Sequence, residues 1–194
     1  MELAILGRHG ESVFSARALV NGDVAVACPL TPKGEEEARR LRAALAGKPI
    51  DLCVTSEFER TQQTADLALA GREVPRLVVP ELNDPFYGRF EGGPLDDYRA
   101  WAHAHASDET PPGDGESRRQ IVSRYARGFG LVLERAERTV LVVAHSLPIA
   151  YVLAGGTPDR VVPLVEHATA YRLSEGELRA AVEALEAWLA APTW

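Results

Sequence analysis

The sequence predicts an α/β protein with a mostly parallel central sheet, because two short apolar runs each lead directly into a histidine. Residues 3–6 run into Arg8 and His9, and residues 139–144 run into His145. Continuous apolar runs of this length are typical of strands that are buried on both faces. Ligands of open α/β sheets bind outside the carboxyl ends of the strands. We therefore expect both histidines at one crevice.

Length and composition exclude several classes of protein. The chain has 194 residues, of which 46% are hydrophobic and 25% charged, so it can bury a sizeable core, and we expect one domain over residues 1–194. The net charge of −7 argues against nucleic acid and anionic membranes as partners. There is no apolar run of membrane-spanning length and no signal-peptide pattern, which predicts a cytoplasmic protein. Cys28 and Cys53 form neither a disulfide framework nor a zinc pattern.

The middle of the first half contains two helix start signals. Thr31 is placed to cap a helix that has Pro32 in its first position. A strand over residues 50–55 follows, and the spacing of Ser56 and Glu59 predicts a capping box at the next helix. Arg60 would then lie near that helix start, where free N–H groups already favour an anion.

A loop rich in glycine and proline, residues 81–93, follows a short apolar strand over residues 74–79 and begins with the carboxylates Glu81 and Asp84. Later segments read as a helix within residues 115–138, a helix over residues 146–153 and a strand over residues 169–173. The last stretch, residues 177–191, fits either a hairpin return or a terminal amphipathic helix, and both interpretations stay open.

The ordered set of motifs resembles the histidine phosphatase superfamily, which includes cofactor-dependent phosphoglycerate mutases and many small phosphatases. The matching stretches cover nearly the whole chain: Arg8–Ser12, Leu30–Gly34, Thr55–Ala65, Leu82–Gly92, Gly115–Ser117 and Val143–His145. This resemblance implies a three-layer α/β/α sandwich with a small helical lid. It also implies a phosphatase that needs no metal and no cofactor.

The resemblance assigns roles to particular residues. It implies a phosphohistidine intermediate on His9 and a phosphate pocket made by Arg8, Arg60 and a protonated His145. Aligned on Tyr87-Gly88 and Glu91-Gly92, the chain has Asp84 where relatives carry the glutamate that donates a proton, so Glu81 is the less suitable acid. The chemistry requires an unprotonated nitrogen on His9 and a protonated Asp84.

Several positions depart from the family pattern. Ser15 stands where the mutases have asparagine, and Pro85 stands where they have a basic residue. The expected lid, residues 85–116, contains seven acids and two arginines and is poorly suited to a second phosphate. These departures favour a phosphatase over a mutase. The short side chain of Asp84, and Ser146 in place of the usual glycine, leave open a catalytically weak protein that binds a phosphorylated ligand.

Further candidate substrate contacts are Ser15, Asn21, Gly22, Glu81 and Ser146. The expected partner is a small phosphorylated molecule, with a phosphoprotein as an alternative. Neither the particular substrate nor the oligomeric state follows from the sequence.

Overall fold

The computed structural model describes residues 1–158 and 163–193, and in that part of the chain it shows a five-stranded sheet of order β3-β2-β4-β1-β5. The strands are β1 (Leu3–Arg8), β2 (Leu52–Thr55), β3 (Arg76–Val78), β4 (Thr139–Ala144) and β5 (Ala170–Ser174). β1 to β4 pair in parallel, and β5 pairs antiparallel with β1 at one edge. The predicted mostly parallel sheet is confirmed.

Helices cover both faces of this sheet. They are α1 (Pro32–Ala44), α2 (Glu59–Ala68), α3 (Leu95–Ala104), α4 (Arg118–Leu133), α5 (Ser146–Leu153) and α6 (Glu175–Ala190). The open alternative at the C-terminal end is resolved in favour of a helix. Ser174 and Glu177 form a reciprocal capping box at the start of α6, which satisfies backbone donors that would otherwise lack partners.

Alternate residues of the central strands point to opposite faces, as the pleat of a strand requires. Leu6 and Val142 pack in one core with α4, α5 and α6. Ile5 and Leu141 pack in a second core with α1 and α2. The expected three-layer α/β/α arrangement is therefore confirmed.

The register of the sheet brings the two histidines together. Arg8 on β1 lies opposite Ala144 on β4, so the residues that follow, His9 and His145, emerge side by side. Their ring centroids are 5.3 Å apart. The expected crevice at the carboxyl ends of the strands is thus present.

Of the two helix starts predicted in the first half of the chain, one is confirmed and the other is wrong. Thr31 caps α1 by accepting a hydrogen bond from Gly34 N, as expected. The capping box predicted for Ser56 is wrong, because α2 begins at Glu59 with Phe58 in the capping position and no side-chain cap. Ser56 Oγ instead lies 2.8 Å from Nε2 of His145.

No helix within residues 1–158 and 163–193 has both the length and the apolar character needed to cross a membrane. Cys28 and Cys53 are both free and buried, which agrees with the expectation of no disulfide. Burial raises the pKa of the Cys53 thiol to about 11, so this thiol is protonated at neutral pH.

Candidate active site

The backbone of His9 is held from both sides. Its N–H donates to the carbonyl oxygen of Ala144 at 2.9 Å, and its own carbonyl lies 2.8 Å from Nδ1 of His167. The His9 side chain is only 3% exposed. These contacts fix the backbone of His9, and burial restricts the movement of its imidazole within the crevice.

One nitrogen of the His9 ring is committed to a backbone carbonyl. Nδ1 lies 2.7 Å from the carbonyl oxygen of Gly10, which can only accept, so Nδ1 carries the hydrogen. Burial lowers the pKa of His9 well below its ordinary value, and the nearby Arg60, His145 and Arg8 lower it further. Nε2 is therefore unprotonated at neutral pH and has a free lone pair.

Two glycines allow the turn after β1 to lie against the start of α1. A Cβ on Gly10 would lie 2.3 Å from the carbonyl oxygen of Gly34, and one on Gly34 would lie 2.0 Å from the carbonyl oxygen of Glu11. Gly10 N also donates to Thr64 Oγ1 on α2 at 3.0 Å. The turn that carries His9 is thus fixed against both helices of this face.

Arg60 is buried beside His9 and is 2% exposed. Its Nη1 donates to Asn21 Oδ1 at 2.7 Å, and its Nη2 donates to Asn21 O and to Asp84 Oδ2, both at 3.0 Å. The guanidinium lies 4.0 Å from the centre of the Phe58 ring. Asn21 therefore orients the Arg60 guanidinium, and the Phe58 ring packs against it.

The side chains of His145, Asp84 and Arg60 lie within hydrogen-bonding distance of one another. Nδ1 of His145 lies 3.3 Å from Asp84 Oδ2. Burial lowers the pKa of His145 to about 4, although Asp84 opposes this effect. Burial raises the pKa of Asp84, but His145 and Arg60 outweigh it, so the pKa lies below its ordinary value. At neutral pH His145 is neutral and Asp84 is ionised.

The protein without substrate therefore differs from the state in which it would react. Phosphate binding favours a protonated His145 and the first chemical step requires a protonated Asp84, whereas the pKa shifts favour the opposite states in the free protein. The reason is physical: His145 is fully buried, and Asp84 is stabilised as a carboxylate by the Arg60 guanidinium. Nδ1 of His145 lies 3.3 Å from both Asp84 Oδ2 and Arg60 Nη2, and its Nε2 lies 2.8 Å from Ser56 Oγ.

Arg8 retains an unused donor in the same place. Its Nη1 donates to Val165 O at 3.0 Å, whereas its Nε is buried and has no hydrogen-bond partner in the described part of the chain. A buried unpaired donor on a cation is costly unless an anion accepts from it. This donor, with Arg60 and His9, makes the crevice suitable for a phosphate.

A cavity of about 340 Å³ opens onto these groups. Ser15, Asn21 and Ser146, three of the candidate substrate contacts, line it. Aromatic side chains form part of its wall: Tyr87, Tyr98 and Trp101 from the segment expected to be a lid, Phe14 from the turn after β1, and Tyr151 from α5. Arg99, His103 and Arg118 line it as well.

Gly22 and Glu81, also candidate substrate contacts, lie outside this cavity on a separate groove. Gly22 N donates to Glu91 Oε2 at 2.9 Å. Glu81 belongs to a 3₁₀ turn, Pro80–Leu82, which ends before the chain reaches the crevice. Their positions do not support substrate contact, and among the two carboxylates the one beside His145 and Arg60 is Asp84.

The same groups include atoms that could ligate a metal. Ligand atoms of His9, Asp84 and His145 lie within 4.8 Å of one another. However, Arg60 Nη2 lies 3.0 Å from the carboxylate of Asp84, and a fixed guanidinium raises the cost of adding a dication. The charge distribution suits an anion better than a metal ion.

Comparison with known proteins agrees with this geometry. Residues 4–173 match the histidine phosphatase superfamily (branch 1). The chain belongs to this superfamily. The resemblance noted from the motifs is thereby confirmed.

The most similar proteins include both phosphatases and mutases. The chain is 32% identical to the adenosylcobalamin/alpha-ribazole phosphatase of Escherichia coli K12, over 76% of this chain and 75% of that protein. It is 33% identical to a 2,3-bisphosphoglycerate-dependent phosphoglycerate mutase of Thermobifida fusca, over 84% of this chain and 68% of that protein. A solved structure of a putative alpha-ribazole-5'-P phosphatase from E. coli superimposes with a TM-score of 0.76 at 28% identity, covering 89% and 90% of the two chains.

Sequence reasoning missed contacts that shape the site from behind. Ser56 contacts His145, His167 contacts the His9 carbonyl, and Arg124 contacts the loop that carries Asp84. Ser56 lies within the Thr55–Ala65 motif, but the spacing of that motif does not reveal its partner. The order of strands in the sheet could have indicated Ser56, because it follows β2 directly beside β4.

Proposed function

We propose that this protein hydrolyses phosphate monoesters through a phosphohistidine on Nε2 of His9. The observation that carries the proposal is the hydrogen bond from Nδ1 of His9 to Gly10 O, which leaves Nε2 as an unprotonated nucleophile in a crevice that Arg8 and Arg60 line. A phosphoryl group is negatively charged, so a nucleophile can approach it only where cations neutralise its oxygens.

In the first step Nε2 of His9 attacks the phosphorus atom, a bond from nitrogen to phosphorus forms, and the ester bond breaks. The buried Nε of Arg8 and the Nη2 of Arg60 are the donors available to the phosphoryl oxygens. Asp84 delivers a proton to the leaving oxygen, which matters most when the leaving alcohol is a weak acid.

In the second step water attacks the phosphohistidine and the bond to Nε2 breaks. The Asp84 carboxylate left by the first step accepts the proton of that water. Asp84 is then protonated as it was at the start of the first step, and it releases this proton when phosphate leaves and Arg60 again binds the carboxylate. For the first step Asp84 must gain a proton when substrate binds. A dianionic phosphate beside it supplies the cause, since it disfavours a second negative charge and draws Arg60 away from the carboxylate.

The lid over the site is part of the proposal. Within residues 85–116, α3 contributes Leu95, Tyr98 and Trp101 to the cavity wall, together with Arg99, Ala102 and His103. Tyr98 and Trp101 stack with ring centroids 6.3 Å apart. This aromatic wall favours an ester with a bulky, flat leaving group, and alpha-ribazole phosphate, named for the E. coli relative, is of this kind.

Phosphoglycerate mutase activity is the second candidate, because mutases at 33% identity are as similar in sequence as the phosphatases. A mutase would need cations along the cavity for a second acidic group, and α3 brings Arg99 and His103 to the cavity wall together with its apolar and aromatic side chains. Interconversion of phosphoglycerates that depends on a bisphosphorylated primer would support the mutase.

The test is release of inorganic phosphate in a buffer that contains a chelator. The substrates are alpha-ribazole 5'-phosphate, 4-nitrophenyl phosphate and glycerol phosphate, and the proteins are the wild type and His9→Ala. We expect the wild type to release phosphate and His9→Ala to be slower by about three orders of magnitude or more. A wild type that binds these esters without hydrolysing any of them would contradict the phosphatase and favour a protein that only binds phosphorylated ligands.

A further inference from the structure

Arg124 on α4 lies outside the His9 cavity, yet its guanidinium contacts the backbone of the loop that carries Asp84. Nη1 donates to the carbonyl oxygens of Glu81 at 3.0 Å and Asn83 at 2.8 Å. Nη2 reaches the carbonyl oxygen of Asp84 itself at 3.4 Å. One side chain thus binds the backbone carbonyls of Glu81 and Asn83, which precede Asp84, and the carbonyl of Asp84 itself.

The remaining donors of Arg124 bind Glu116. Nε lies 2.7 Å from Oε1 and Nη2 lies 2.6 Å from Oε2. Glu116 in turn accepts from Phe86 N through Oε2 at 2.9 Å, and its own N–H donates to Phe86 O at 2.8 Å. Together Arg124 and Glu116 secure the loop before and after Asp84.

The loop needs such contacts because residues 83–87 form no helix or strand. Its peptide groups must find partners outside regular structure. The helix approaches closely enough to supply them, since a Cβ on Gly128, one turn after Arg124, would lie 2.9 Å from Glu81 Cβ and from Leu82 Cδ2. A glycine on the same helix face therefore brings Arg124 within reach of the loop.

Asp84 itself has a demanding geometry. Its Oδ2 lies 3.0 Å from Arg60 Nη2 and 3.3 Å from His145 Nδ1. An aspartate side chain is short, so a shift of its backbone moves the carboxylate by nearly the same distance. Loss of the backbone contacts would displace Asp84 while leaving His9, Arg8 and Arg60 in place.

We propose that Arg124 is a positioning residue for the proton donor, acting through the backbone of Asp84 with Glu116 as its partner. This inference rests on the proposed function, in which Asp84 protonates the leaving oxygen. Arg124 touches neither the phosphoryl group nor the nucleophile, so its effect is confined to proton transfer and the order of the loop.

A positioning role and a purely structural role differ in their dependence on the leaving group. An aryl alcohol such as nitrophenol leaves readily without a proton, whereas an alkyl alcohol needs one. Displacement of Asp84 therefore slows alkyl esters selectively. A general loss of folding would lower the rates of both esters equally.

The experiment compares Arg124→Gln with Arg127→Gln, which removes the same charge from an exposed position of the same helix, where the Arg127 side chain donates to Ser123 Oγ. The kcat and KM are measured for 4-nitrophenyl phosphate and for glycerol phosphate, together with the Tm of each protein. For Arg124→Gln we expect kcat on glycerol phosphate to fall about 100-fold, the loss expected from a misplacement of about 1 Å. The kcat on the aryl ester should fall less than about threefold, and KM should change little for both.

Arg124→Lys is a second variant, which distinguishes loss of folding from loss of the positioning contacts. Lysine preserves the charge but lacks the planar fork that serves carbonyls and carboxylate together, so we expect the same selective loss, smaller in size. An equal loss on both esters in a folded variant overturns the positioning role. Failure of the proposed function is a different result: the wild type would be inert on both esters, or His9→Ala would remain active, and the inference would fall with it.

Discussion

Oδ2 of Asp84 lies 3.3 Å from Nδ1 of His145 and 3.0 Å from Nη2 of Arg60. The proposed proton donor therefore contacts the same two side chains that a bound phosphate would contact. In the site without substrate, the Asp84 carboxylate thus supplies the negative charge beside the Arg60 guanidinium. A bound phosphate competes with the Asp84 carboxylate for these donors. This competition has consequences that can be measured.

Phosphate binding should be accompanied by proton uptake. Inorganic phosphate, studied at about pH 8 where it is already a dianion, should raise the pKa of Asp84 and draw in up to about one proton. Calorimetry in two buffers of different ionisation enthalpy gives the number of protons. Asp84→Asn is the control and should bind phosphate without this uptake; equal uptake in both proteins would place the proton elsewhere.

Replacing the two carboxylates of the loop should have opposite outcomes. Asp84→Asn removes the proton donor, so kcat on glycerol phosphate should fall about 100-fold or more. The loss on 4-nitrophenyl phosphate should be smaller because its leaving group needs less protonation. Glu81→Gln makes the same chemical change outside the cavity and should retain activity within about threefold. A larger loss in Glu81→Gln than in Asp84→Asn would reverse the assignment.

Acidification should destabilise the protein through His145 before Asp84 is protonated. The pKa of His145 is 6.5 when unfolded and about 4 when folded, so between these values the unfolded chain binds more protons. The stabilisation is complete above pH 6.5 and is lost as the pH falls towards 4. Asp84 acts in the same direction at lower pH, since its folded pKa lies below the unfolded value of 3.8.

Urea unfolding between pH 7.5 and pH 4.5 measures this effect. The free energy of unfolding should fall with decreasing pH, and His145→Gln should reduce this dependence. The lowered pKa of His9 keeps part of the dependence in this variant. A wild-type slope in His145→Gln would contradict the lowered pKa of His145.

Two glycines of α4 provide a matched pair for the contact between this helix and the Asp84 loop. A Cβ on Gly128 would press on Glu81 and Leu82, whereas a Cβ on Gly130 meets nothing within 4 Å. Gly128→Ala should lower the free energy of unfolding by about 1–3 kcal/mol through overpacking. Gly130→Ala should raise it by up to about 1 kcal/mol, because alanine favours the helix. Thermal and urea denaturation of both variants check this contrast.

The sequence predicted the elements whose signals are local. Buried apolar runs indicated β1 and β4, and the parallel register then placed His9 beside His145. Thr31 caps its helix as expected because its hydroxyl accepts from Gly34 N while it donates to Glu11 Oε1. The family motifs added Asp84, which lies beside Arg60 in the structure.

Other features depended on contacts between distant parts of the chain. Ser56 does not cap α2 because the helix begins at Glu59, with Phe58 as the residue before it; Ser56 Oγ accepts from Phe58 N and contacts His145, 89 positions away. Arg124 binds carbonyl oxygens, which every residue has, so no residue pattern marks its partners. The protonation states of Asp84 and His145 depend on burial and on each other, and neither is visible in a sequence. By contrast, the Ser174-to-Glu177 spacing was a local signal for α6 that could have decided the C-terminal element.

The most direct test of the account is to trap the phosphoryl group on the protein. Wild type and His9→Asn are mixed with 4-nitrophenyl phosphate, quenched in alkali within the first turnovers, digested and examined by mass spectrometry. We expect a phosphoryl adduct on His9 in the wild type, formed as fast as nitrophenol is released, and no adduct in His9→Asn. Steady turnover with His9 unmodified throughout, or undiminished turnover by His9→Asn, would contradict a phosphohistidine mechanism.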